Sequence, residues 1–360
     1  MAAFGEKLSS KIAAAALQDA GFQAEAISTE ELIVTDAAFN KAVPLMGPTR
    51  AKCRARLLPL LEKGVIPVVT GFIGATEEGI TTTLGRGGSD YSASIIGAAL
   101  DSEEIWIWTD VDGVMSADPR LVVQARSLRR ISYAEAGELS HFGAKVIHPL
   151  TVLPAVENGI PLYIKNTFNP EFPGTRIDGS DQTAGGLVKA VASTKNLALV
   201  TVAGSSVLAV PGIAARVFAI VSDQKVNVYM ISHASSGHDL CFVVENKAAQ
   251  PLVQSLLKEF ERELARKEIE SITADSQVTI IAVVGAGMRG TPGVAGRLFS
   301  TLGRHGINII AIAQGSSELN ISLIVAADDE KAAVQTIHNE FLSLVGLSKS
   351  VRHHVESWTR

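Results

Sequence analysis

The sequence predicts a layered α/β/α domain that is followed by two ferredoxin-like βαββαβ modules. Helical and strand-like segments alternate through the first half, and that alternation is typical of parallel βαβ units. In the second half, the segments 211–244 and 292–325 align without a gap, so each position of one has an equivalent in the other. A match of that length indicates a duplicated module. We therefore expect a first domain at 1–180 and two modules at 190–275 and 276–346.

The predicted elements of the first half are short and alternate in type. Helices are expected at 8–20, 52–63, 92–100, 133–142 and 151–158, and strands at 65–70, 104–109 and 161–164. In parallel sheets, ligands bind beyond the carboxyl ends of the strands. Gly71, the loop 85–90 and Asp110 fall at such ends, so we expect the binding site there.

Two tryptophans alternate with two isoleucines in the expected strand 104–109. Trp106 and Trp108 are large and largely apolar. We expect both rings to be buried in the core rather than to form a stacking platform.

Each copy of the repeat predicts the same order of elements: a turn, a helix, a strand, a turn and a strand. A second helix is expected after each copy, at 248–267 and at 330–341. This order is the βαββαβ pattern of ferredoxin-like modules. The polar stretch 178–183 is the expected linker between the two halves of the chain. Identical pairs across the copies include Pro211/Pro292, Gly212/Gly293, Arg216/Arg297, Phe218/Phe299, Asn227/Asn308, Ser235/Ser316 and Ser236/Ser317.

Composition and charge argue against several classes of protein. The 360 residues are 47% apolar and 19% charged with a net charge of −5, which is typical of a globular protein and gives no basic surface for nucleic acid. No apolar run approaches the roughly 18 residues of a membrane span. Two distant cysteines, Cys53 and Cys241, indicate a reducing compartment, so we expect a cytoplasmic protein.

The run Thr-Thr-Thr-Leu-Gly-Arg-Gly-Gly-Ser-Asp-Tyr at 81–91 is the most informative motif. Its glycines let backbone N–H groups approach a charged ligand, and helix-forming residues follow at 93–100. Arg86 offers a planar fork to a carboxylate or phosphate, and Asp90 lies in the same turn. An ordinary tight turn is the plainer alternative, but the embedded arginine and aspartate favour an anion site.

Together with its neighbours, this motif resembles the aspartate kinase family, and the resemblance covers nearly the whole chain. It implies an amino-acid-kinase fold of the carbamate-kinase-like kind for the first domain. The repeat resembles the paired ACT modules that follow the kinase domain in that family. The motifs are Gly-Glu-Lys-Leu-Ser at 5–9, Val-Thr-Gly-Phe-Ile-Gly at 69–74, the run at 81–91, Trp-Thr-Asp-Val-Asp-Gly at 108–113, Ala-Asp-Pro-Arg at 117–120, Phe-Gly-Ala-Lys-Val-Ile-His-Pro at 142–149 and Ile-Lys-Asn-Thr at 164–167.

By this resemblance, the substrate is L-aspartate and the reaction is ATP-dependent phosphorylation of its β-carboxylate. Glu6 is expected to hold the α-ammonium group of aspartate, and Arg86 its α-carboxylate. Phe72 and Ser89 are expected to line the amino-acid pocket. Asp90 is expected to organise the cationic groups around the transferring phosphate, so Arg86 and Asp90 are the expected catalytic residues.

The resemblance also implies a nucleotide side for the site. ATP is the expected cofactor, with Mg²⁺ held mainly by the nucleotide rather than by a set of protein ligands. Met115 stands where some relatives have tyrosine, which matters little if the side chain only packs on the adenine. The residues expected to contact the nucleotide are Thr109, Asp110, Met115, Arg120, Lys145 and Val146.

One departure from the family pattern bears on activity. The Lys-Phe-Gly-Gly-Thr-Ser loop, whose lysine contacts the transferring phosphate in the family, does not occur in these 360 residues. Lys7 does not replace that lysine by motif. We therefore expect a kinase domain that is incomplete at its N-terminus, and no dehydrogenase half after the repeat.

The ACT-like repeat implies regulation by an amino acid, with threonine or lysine as the expected effector. Asn227 and Asn308 are expected to open a strand after a turn, and His233 and Gln314 occupy equivalent places in the two copies. Gln314 is the preferred contact because threonine-responsive relatives carry glutamine in this region. The resemblance is strongest to threonine-sensitive bifunctional aspartokinase–homoserine dehydrogenases, and it implies a homodimer or larger homo-oligomer.

Two alternatives stay open at this point. A catalytically inactive amino-acid-sensing protein would keep the repeat and lack turnover, and the absent phosphate-loop lysine favours it. Another amino-acid kinase, such as a glutamate or uridylate kinase relative, is disfavoured by the repeat and by the run at 81–91.

Overall fold

The computed structural model describes residues 3–142, 149–180, 186–204, 212–233 and 239–342, and the chain divides into two compact units. Among these residues, the first unit comprises 3–114, 127–140 and 149–180, and all others belong to the second unit. The loop 115–126 therefore packs with the second unit, although it lies in the middle of the kinase-like sequence. The nucleotide residues Lys145 and Val146 lie outside the described residues, as does part of the expected linker 178–183.

The first unit contains the helices and strands that the alternating pattern predicts, together with additional short strands. Its helices are α1 (Ala3–Asp19), α2 (Met46–Glu62), α3 (Gly88–Leu100), α4 (Tyr133–His141) and α5 (Pro149–Asn158). Its strands are β1 (Ala24–Ile27), β2 (Ile66–Val69), β3 (Ile73–Ala75), β4 (Thr81–Thr83), β5 (Ile105–Thr109), β6 (Arg130–Ser132), β7 (Leu162–Asn166) and β8 (Thr175–Asp178).

The strands of the first unit pair in both directions. Strand β1 pairs with β2 in parallel, and β5 pairs with β7 in parallel. The order β5-β7-β8-β6 includes one antiparallel pair, β7 with β8, so this sheet is mixed rather than purely parallel. Helices α2 and α3 bury Cys53, Leu57 and Ile95 in one core cluster. That cluster lies directly beneath the glycine-rich loop, because Leu84 and Tyr91 of the loop region belong to it.

The expected burial of the two tryptophans is wrong. Ile105 and Ile107 are each only 6% exposed, whereas Trp106 and Trp108 are 47% and 44% exposed. The alternation along β5 is real, but the isoleucines face the core and the tryptophans face outward. The two indole rings meet edge to face at 5.9 Å, and the Nζ of Lys165 lies 4.5 Å from the centre of the Trp106 ring. Contact with the aliphatic and cationic parts of Lys165 partly covers these rings.

The second unit is built from the repeat and contains one sheet with the order β10-β11-β9-β12-β14-β13. Its strands are β9 (Ala190–Ala203), β10 (Val228–His233), β11 (Asp239–Glu245), β12 (Ser271–Val284), β13 (Ala311–Gln314) and β14 (Asn320–Ala326). Its helices are α6 (Ile213–Asp223), α7 (Asn246–Glu259), α8 (Glu261–Ala265), α9 (Val294–Arg304) and α10 (Glu330–Leu342).

The two copies exchange the first segments of their long strands. Residues 271–275 of β12 pair with 199–203 of β9, and residues 190–194 of β9 pair with 280–284 of β12. Each ferredoxin-like module, ordered 4-1-3-2 within the sheet, therefore takes its fourth strand from the start of the other copy. We call them module 1, with the helices α6 and α7, and module 2, with the helices α9 and α10. The boundary expected between residues 275 and 276 falls inside β12. The bounds of the three expected domains stay predictions.

Each module has its own apolar core. Module 1 buries Val217, Phe242 and Leu256, and module 2 buries Leu298, Leu323 and Ile337 at the equivalent positions of the second copy. Among the described helices, none is long and apolar enough to cross a membrane.

Candidate functional site

The glycine-rich loop owes its shape to backbone positions that favour glycine. Gly85 and Gly87 have φ values of 81° and 71°, in the left-handed region, and Gly87 leads directly into α3. At Gly88 a Cβ atom would lie 2.8 Å from Cδ2 of Phe72, so only glycine lets the two segments approach this closely. The first turn of α3 has no side-chain cap, and the N–H of Gly88 donates to the carbonyl of Gly85 at 3.0 Å.

Phe72 is held in a strained conformation on the opposite wall. Its φ is 68°, which is rare for a bulky residue. Its N–H donates to Oγ of Ser92 at 3.0 Å, and its carbonyl accepts from the N–H of Leu84 at 2.9 Å. Because Ser92 also donates to the carbonyl of Gly88 at 2.8 Å, the strained residue and the loop are fixed to each other.

The structure brings the five expected aspartate-side residues together in one cavity of about 340 Å³. The lining residues are Glu6, Phe72, Gly85, Arg86, Gly87, Gly88, Ser89 and Asp90. Arg86 and Ser89 are exposed, so their polar groups are available to a ligand. Asp90 lies in the first turn of α3, and burial raises the pKa of its carboxyl group. The cavity thus combines a cation, two carboxylates and helix N–H groups.

A polar contact beside this cavity went unnoticed in the sequence. Glu30 forms an ion pair with Lys7 at 2.5 Å and accepts hydrogen bonds from Thr81 and from Oγ of Ser28. Burial alone would raise the pKa of Glu30, but the hydrogen bonds from Lys7, Thr81 and Ser28 hold it below its usual value. Lys7 is therefore committed to a structural pair. The signal is weak in the sequence because Glu30 belongs to no motif and lies 51 residues from Thr81.

The expected nucleotide residues are divided between the two units. Thr109 and Asp110 lie at the carboxyl end of β5, and the Thr109 hydroxyl donates to Asp110 at 3.2 Å. Next to them, a carboxylate oxygen of Asp112 accepts from Asn166 at 2.8 Å and from Asn169 at 3.1 Å. Asp112 and Asn166 belong to family-like motifs, but no role was predicted for either of them.

Met115 and Arg120 belong to the loop 115–126 of the second unit. Arg120 is largely exposed and donates to both carboxylate oxygens of Asp118, at 3.0 Å and 2.6 Å. This pairing holds the pKa of Asp118 below its usual value. Of the expected nucleotide residues that the structure describes, Thr109, Asp110, Met115 and Arg120, none lines the 340 Å³ cavity.

Of the expected effector residues, Gln314 lines a cavity in module 2. This cavity, of about 580 Å³, is bounded by Met288, Thr291, Gly293, Val294, Ala295, Gly296, Gln314, Gly315, Ser316, Glu318 and Ile321. The first turn of α9 has no side-chain cap, and its first residues, Val294, Ala295 and Gly296, line this space. Glu318 accepts a hydrogen bond from the N–H of Gly290 at 2.7 Å. An amide, a carboxylate and a helix N-terminus therefore meet here.

The other three effector residues lie on exposed parts of the second unit. Asn227 comes directly before β10, as expected, and His233 ends that strand. Asn308 does not open a strand, because β13 begins only at Ala311. None of the three lines the cavity that contains Gln314.

Comparison with known proteins agrees with this architecture. Residues 1–166 match the amino acid kinase family model, and residues 200–260 and 281–341 each match an ACT domain model. The structure of Escherichia coli aspartokinase III with aspartate and ADP superposes with a TM-score of 0.76 at 30% identity, covering 93% of this chain and 73% of that chain. The aspartate kinase of Clostridium acetobutylicum gives a TM-score of 0.84 at 30% identity, covering 94% and 75%.

The chain belongs to the aspartate kinase family. Among curated relatives, the chloroplastic bifunctional aspartokinase/homoserine dehydrogenase 2 of Arabidopsis thaliana is 39% identical over 95% of this chain. The bifunctional aspartokinase/homoserine dehydrogenase of Haemophilus influenzae is 39% identical over 93% of it. This aspartate kinase family member spans about two fifths of the length of these relatives, 38% and 41%.

Proposed function

We propose that this protein transfers the γ-phosphoryl group of ATP to the β-carboxylate of L-aspartate. The observation that carries the proposal is the 340 Å³ cavity, in which Glu6, Phe72, Arg86, Ser89 and Asp90 meet. In the reaction, the bond between the γ-phosphorus and the oxygen of ADP breaks and a bond to the carboxylate oxygen forms, giving β-aspartyl phosphate and ADP. Such a transfer depends mostly on positioning and charge neutralisation.

The charges in the cavity suit an α-amino dicarboxylic acid. The Arg86 guanidinium matches the geometry of a carboxylate with two parallel hydrogen bonds. Glu6, on α1, is a suitable partner for the α-ammonium group. The N-terminus of α3 lines the same cavity, and its partial positive charge favours a second carboxylate near it.

ATP and Mg²⁺ are part of the proposal. We assign the nucleotide to Thr109 and Asp110, with Met115, Arg120, Lys145 and Val146 as further contacts. No cluster of three or more metal-ligating side chains occurs within the described ranges. This suits an ion that is held through nucleotide phosphates, which is the common arrangement for Mg²⁺. When bound, the ion would neutralise the charge of the phosphates.

A hydroxamate assay of the chain with L-aspartate and ATP tests the proposal. Arg86→Ala should raise the KM for L-aspartate about 10- to 100-fold, because a charge-assisted contact to the substrate is lost. Arg86→Lys should recover only part of this loss, since lysine lacks the planar fork. The matched control is Arg56→Ala, which removes an arginine of α2 that pairs with Glu25 and should leave the KM unchanged.

The same experiment separates this proposal from a purely regulatory role. A chain with no turnover and no L-aspartate binding, but with an amino acid bound by its second unit, would refute the kinase proposal. That result would support the amino-acid-sensing alternative. Turnover that Arg86→Ala leaves intact would likewise count against the assignment of this cavity.

We also propose that an amino acid, threonine or lysine, regulates the protein through the Gln314 cavity. The N–H groups at the start of α9 suit an α-carboxylate, and Glu318 suits an α-ammonium group. Two structures of Escherichia coli aspartokinase III hold aspartate with ADP and lysine with aspartate. We propose a homodimer or larger homo-oligomer, located in the cytoplasm, where free Cys53 and Cys241 stay reduced.

Calorimetric titration of the chain with threonine and with lysine tests the effector proposal. One of the two should bind with an affinity that depends on Gln314, and the other should bind more weakly or not at all. Binding of neither amino acid would contradict it. Sedimentation velocity measures the assembly state, and a monomer at micromolar concentration would contradict the proposed homo-oligomer.

A further inference from the structure

The loop 115–126 is anchored to module 2 by apolar packing and by hydrogen bonds. Ala117 and Val122 are buried in the same core as Ile337 of α10. The carbonyl of Leu121 accepts from the side-chain amide of Gln335, also on α10, at 2.7 Å. This packing and this hydrogen bond fix the conformation of the loop through residues of an ACT module. The loop carries two of the expected nucleotide contacts, Met115 and Arg120.

A buried serine joins the two ends of the loop. The Ser116 N–H donates to the carbonyl of Arg126 at 2.8 Å, and the Arg126 N–H donates back to Oγ of Ser116 at 3.0 Å. The Ser116 carbonyl accepts from the N–H of Val191 on β9 at 2.8 Å. Ser116 is fully buried, so each of these bonds is shielded from water.

The hydroxyl of Ser116 also meets the imidazole of His338 on α10. The distance between Oγ and Nε2 is 3.0 Å, and His338 is only 1% exposed. Nδ1 of His338 is buried and has no hydrogen-bond partner among the described residues. An imidazole with one unpaired nitrogen in an apolar core is costly, so packing alone does not explain a histidine here.

The repeat shows what packing alone selects at this place. Helices α7 and α10 and the residues that follow them are identical at several equivalent positions, including Gln254/Gln335, Glu259/Glu340 and Phe260/Phe341. The position equivalent to His338 is Leu257, which packs on the core of module 1. Leu257 is apolar and partly buried, and the buried histidine occurs in the module that holds the loop.

We infer that His338 is a positioning residue for the nucleotide-contacting loop. Its imidazole fixes the Ser116 hydroxyl, and Ser116 closes the loop that presents Arg120. The inference rests on the proposed kinase function, because it assumes that this loop contacts the nucleotide. His338 touches no substrate itself; it acts through Ser116.

Substitution of His338 by two residues of different chemistry tests this inference. His338→Leu installs the residue of module 1 and removes the polar contact, whereas His338→Gln keeps an amide near the place of Nε2. For His338→Leu we expect faster hydrogen exchange at the amides of Ser116 and Arg126. The Kd for ADP should rise about three- to tenfold, which is the effect of one hydrogen bond. His338→Gln should restore both values.

Two further measurements distinguish positioning from general stability. His338→Leu should raise the KM for ATP and leave the KM for L-aspartate within about twofold, a split that a merely less stable protein does not show. Leu257→Ala in module 1 is the matched control, because it weakens a core without touching the loop, and its Kd for ADP should be that of the wild type. Ser116→Ala should reproduce His338→Leu, and the double variant should add little to either.

The outcomes that overturn the inference differ from those that overturn the proposed kinase function. A His338→Leu protein with wild-type ADP affinity and wild-type exchange in the loop overturns the inference alone, provided that the wild type binds ADP. A wild-type chain that binds no ADP overturns both the inference and the proposed kinase function. If His338→Leu does not fold, Ser116→Ala provides the test, and unchanged ADP affinity in that variant overturns the inference.

Discussion

Modules 1 and 2 share individual side-chain contacts, yet several helix positions that are buried in module 2 hold a different residue in module 1, His338 against Leu257 among them. In module 1, Arg216 of α6 pairs with Glu259 and lies 4.4 Å from the centre of the Phe260 ring. In module 2, Arg297 of α9 makes the same contacts with the equivalent residues of the second copy, with 4.6 Å to the ring. The shared residues therefore maintain the framework. At the position of Leu257 in module 1, module 2 has His338, to which we assign the additional role of holding the loop 115–126.

Substitution of the glycines beside the exchanged strands has the largest expected effect on stability. A Cβ atom at Gly204 would lie 2.4 Å from the carbonyl oxygen of Glu268, and one at Gly285 would lie 2.4 Å from that of Leu187. Alanine at either position should destabilise the protein by about 3 kcal/mol, because backbone atoms of the exchanged strands would have to move. Urea unfolding of both variants measures this loss.

The control for the glycine variants is Gly303→Ala. Gly303 lies in α9 with open space around it, so alanine there should be neutral or stabilise the protein by up to about 1 kcal/mol. Destabilisation by Gly204→Ala but not by Gly285→Ala would show that the two exchanges are not equivalent.

The two equivalent arginines, Arg216 and Arg297, should differ by a smaller amount in what they contribute to stability. Arg216 is bound by Glu263 as well as by Glu259, and this network holds the pKa of Glu263 below its usual value. Arg216→Ala should therefore cost about 2 kcal/mol and Arg297→Ala about 1 kcal/mol. Thermal unfolding checks the order, with Lys247→Ala, which breaks an exposed pair, as the control expected to have no effect. Equal losses would mean that Glu263 adds nothing.

The two modules should also differ in effector binding. Gln314 lines a cavity, and the equivalent residue of module 1 is His233. Gln314→Ala should weaken threonine or lysine binding about fivefold, the effect of one lost hydrogen bond, and His233→Ala should do so less. Isothermal titration calorimetry on both variants makes the comparison. A larger loss of effector affinity for His233→Ala would indicate that the effector site lies in module 1.

The smallest effect concerns pH. Burial, and secondarily the charge of Arg126, lower the pKa of His338 below the value of 6.5 that it has in the unfolded chain. Below pH 6.5 the unfolded state thus binds a proton that the folded state resists, so stability should fall as the pH decreases from about 6.5. Denaturation at pH 7.5 and at pH 5.5 should show this loss in the wild type and a smaller one in His338→Leu. Glu263→Gln is the control, because the pKa of Glu263 is held below its usual value and so lies below this pH range. It should leave the difference in stability between pH 7.5 and pH 5.5 unchanged.

Much of the fold could be predicted because its signals are local or periodic. The alternation of helices and strands and the ungapped repeat predicted both kinds of architecture. The strand exchange was not visible, because residues 190–194 and 271–275 are equivalent in the two copies and no local pattern says which copy each one joins. Trp106 and Trp108 were placed on the wrong face because both faces of β5 are apolar, and a period of two does not say which one is buried.

The residues expected on the aspartate side meet in one cavity, whereas those expected on the nucleotide side are divided between the two units. Phe72 and the run at 81–91 lie close in sequence, and the tight contact between Phe72 and Gly88 brings them together. The loop 115–126 is different, because its partners lie far along the chain. Gln335 and His338 come 214 and 222 residues after the loop residues that they contact. A local sequence pattern does not predict a contact between residues so far apart in the chain.

The exchanged strands also make each copy of the repeat depend on the other. A single copy, residues 186–266, would lack one strand of its sheet and would leave a row of backbone N–H and C=O groups of β9 unpaired. Two identical copies would complete each other, as in a strand-swapped homodimer. Joining them in one chain makes that pairing intramolecular, at an effective concentration of about millimolar. The two copies are thus held together by backbone pairing, while residues such as Leu257 and His338 differ between them.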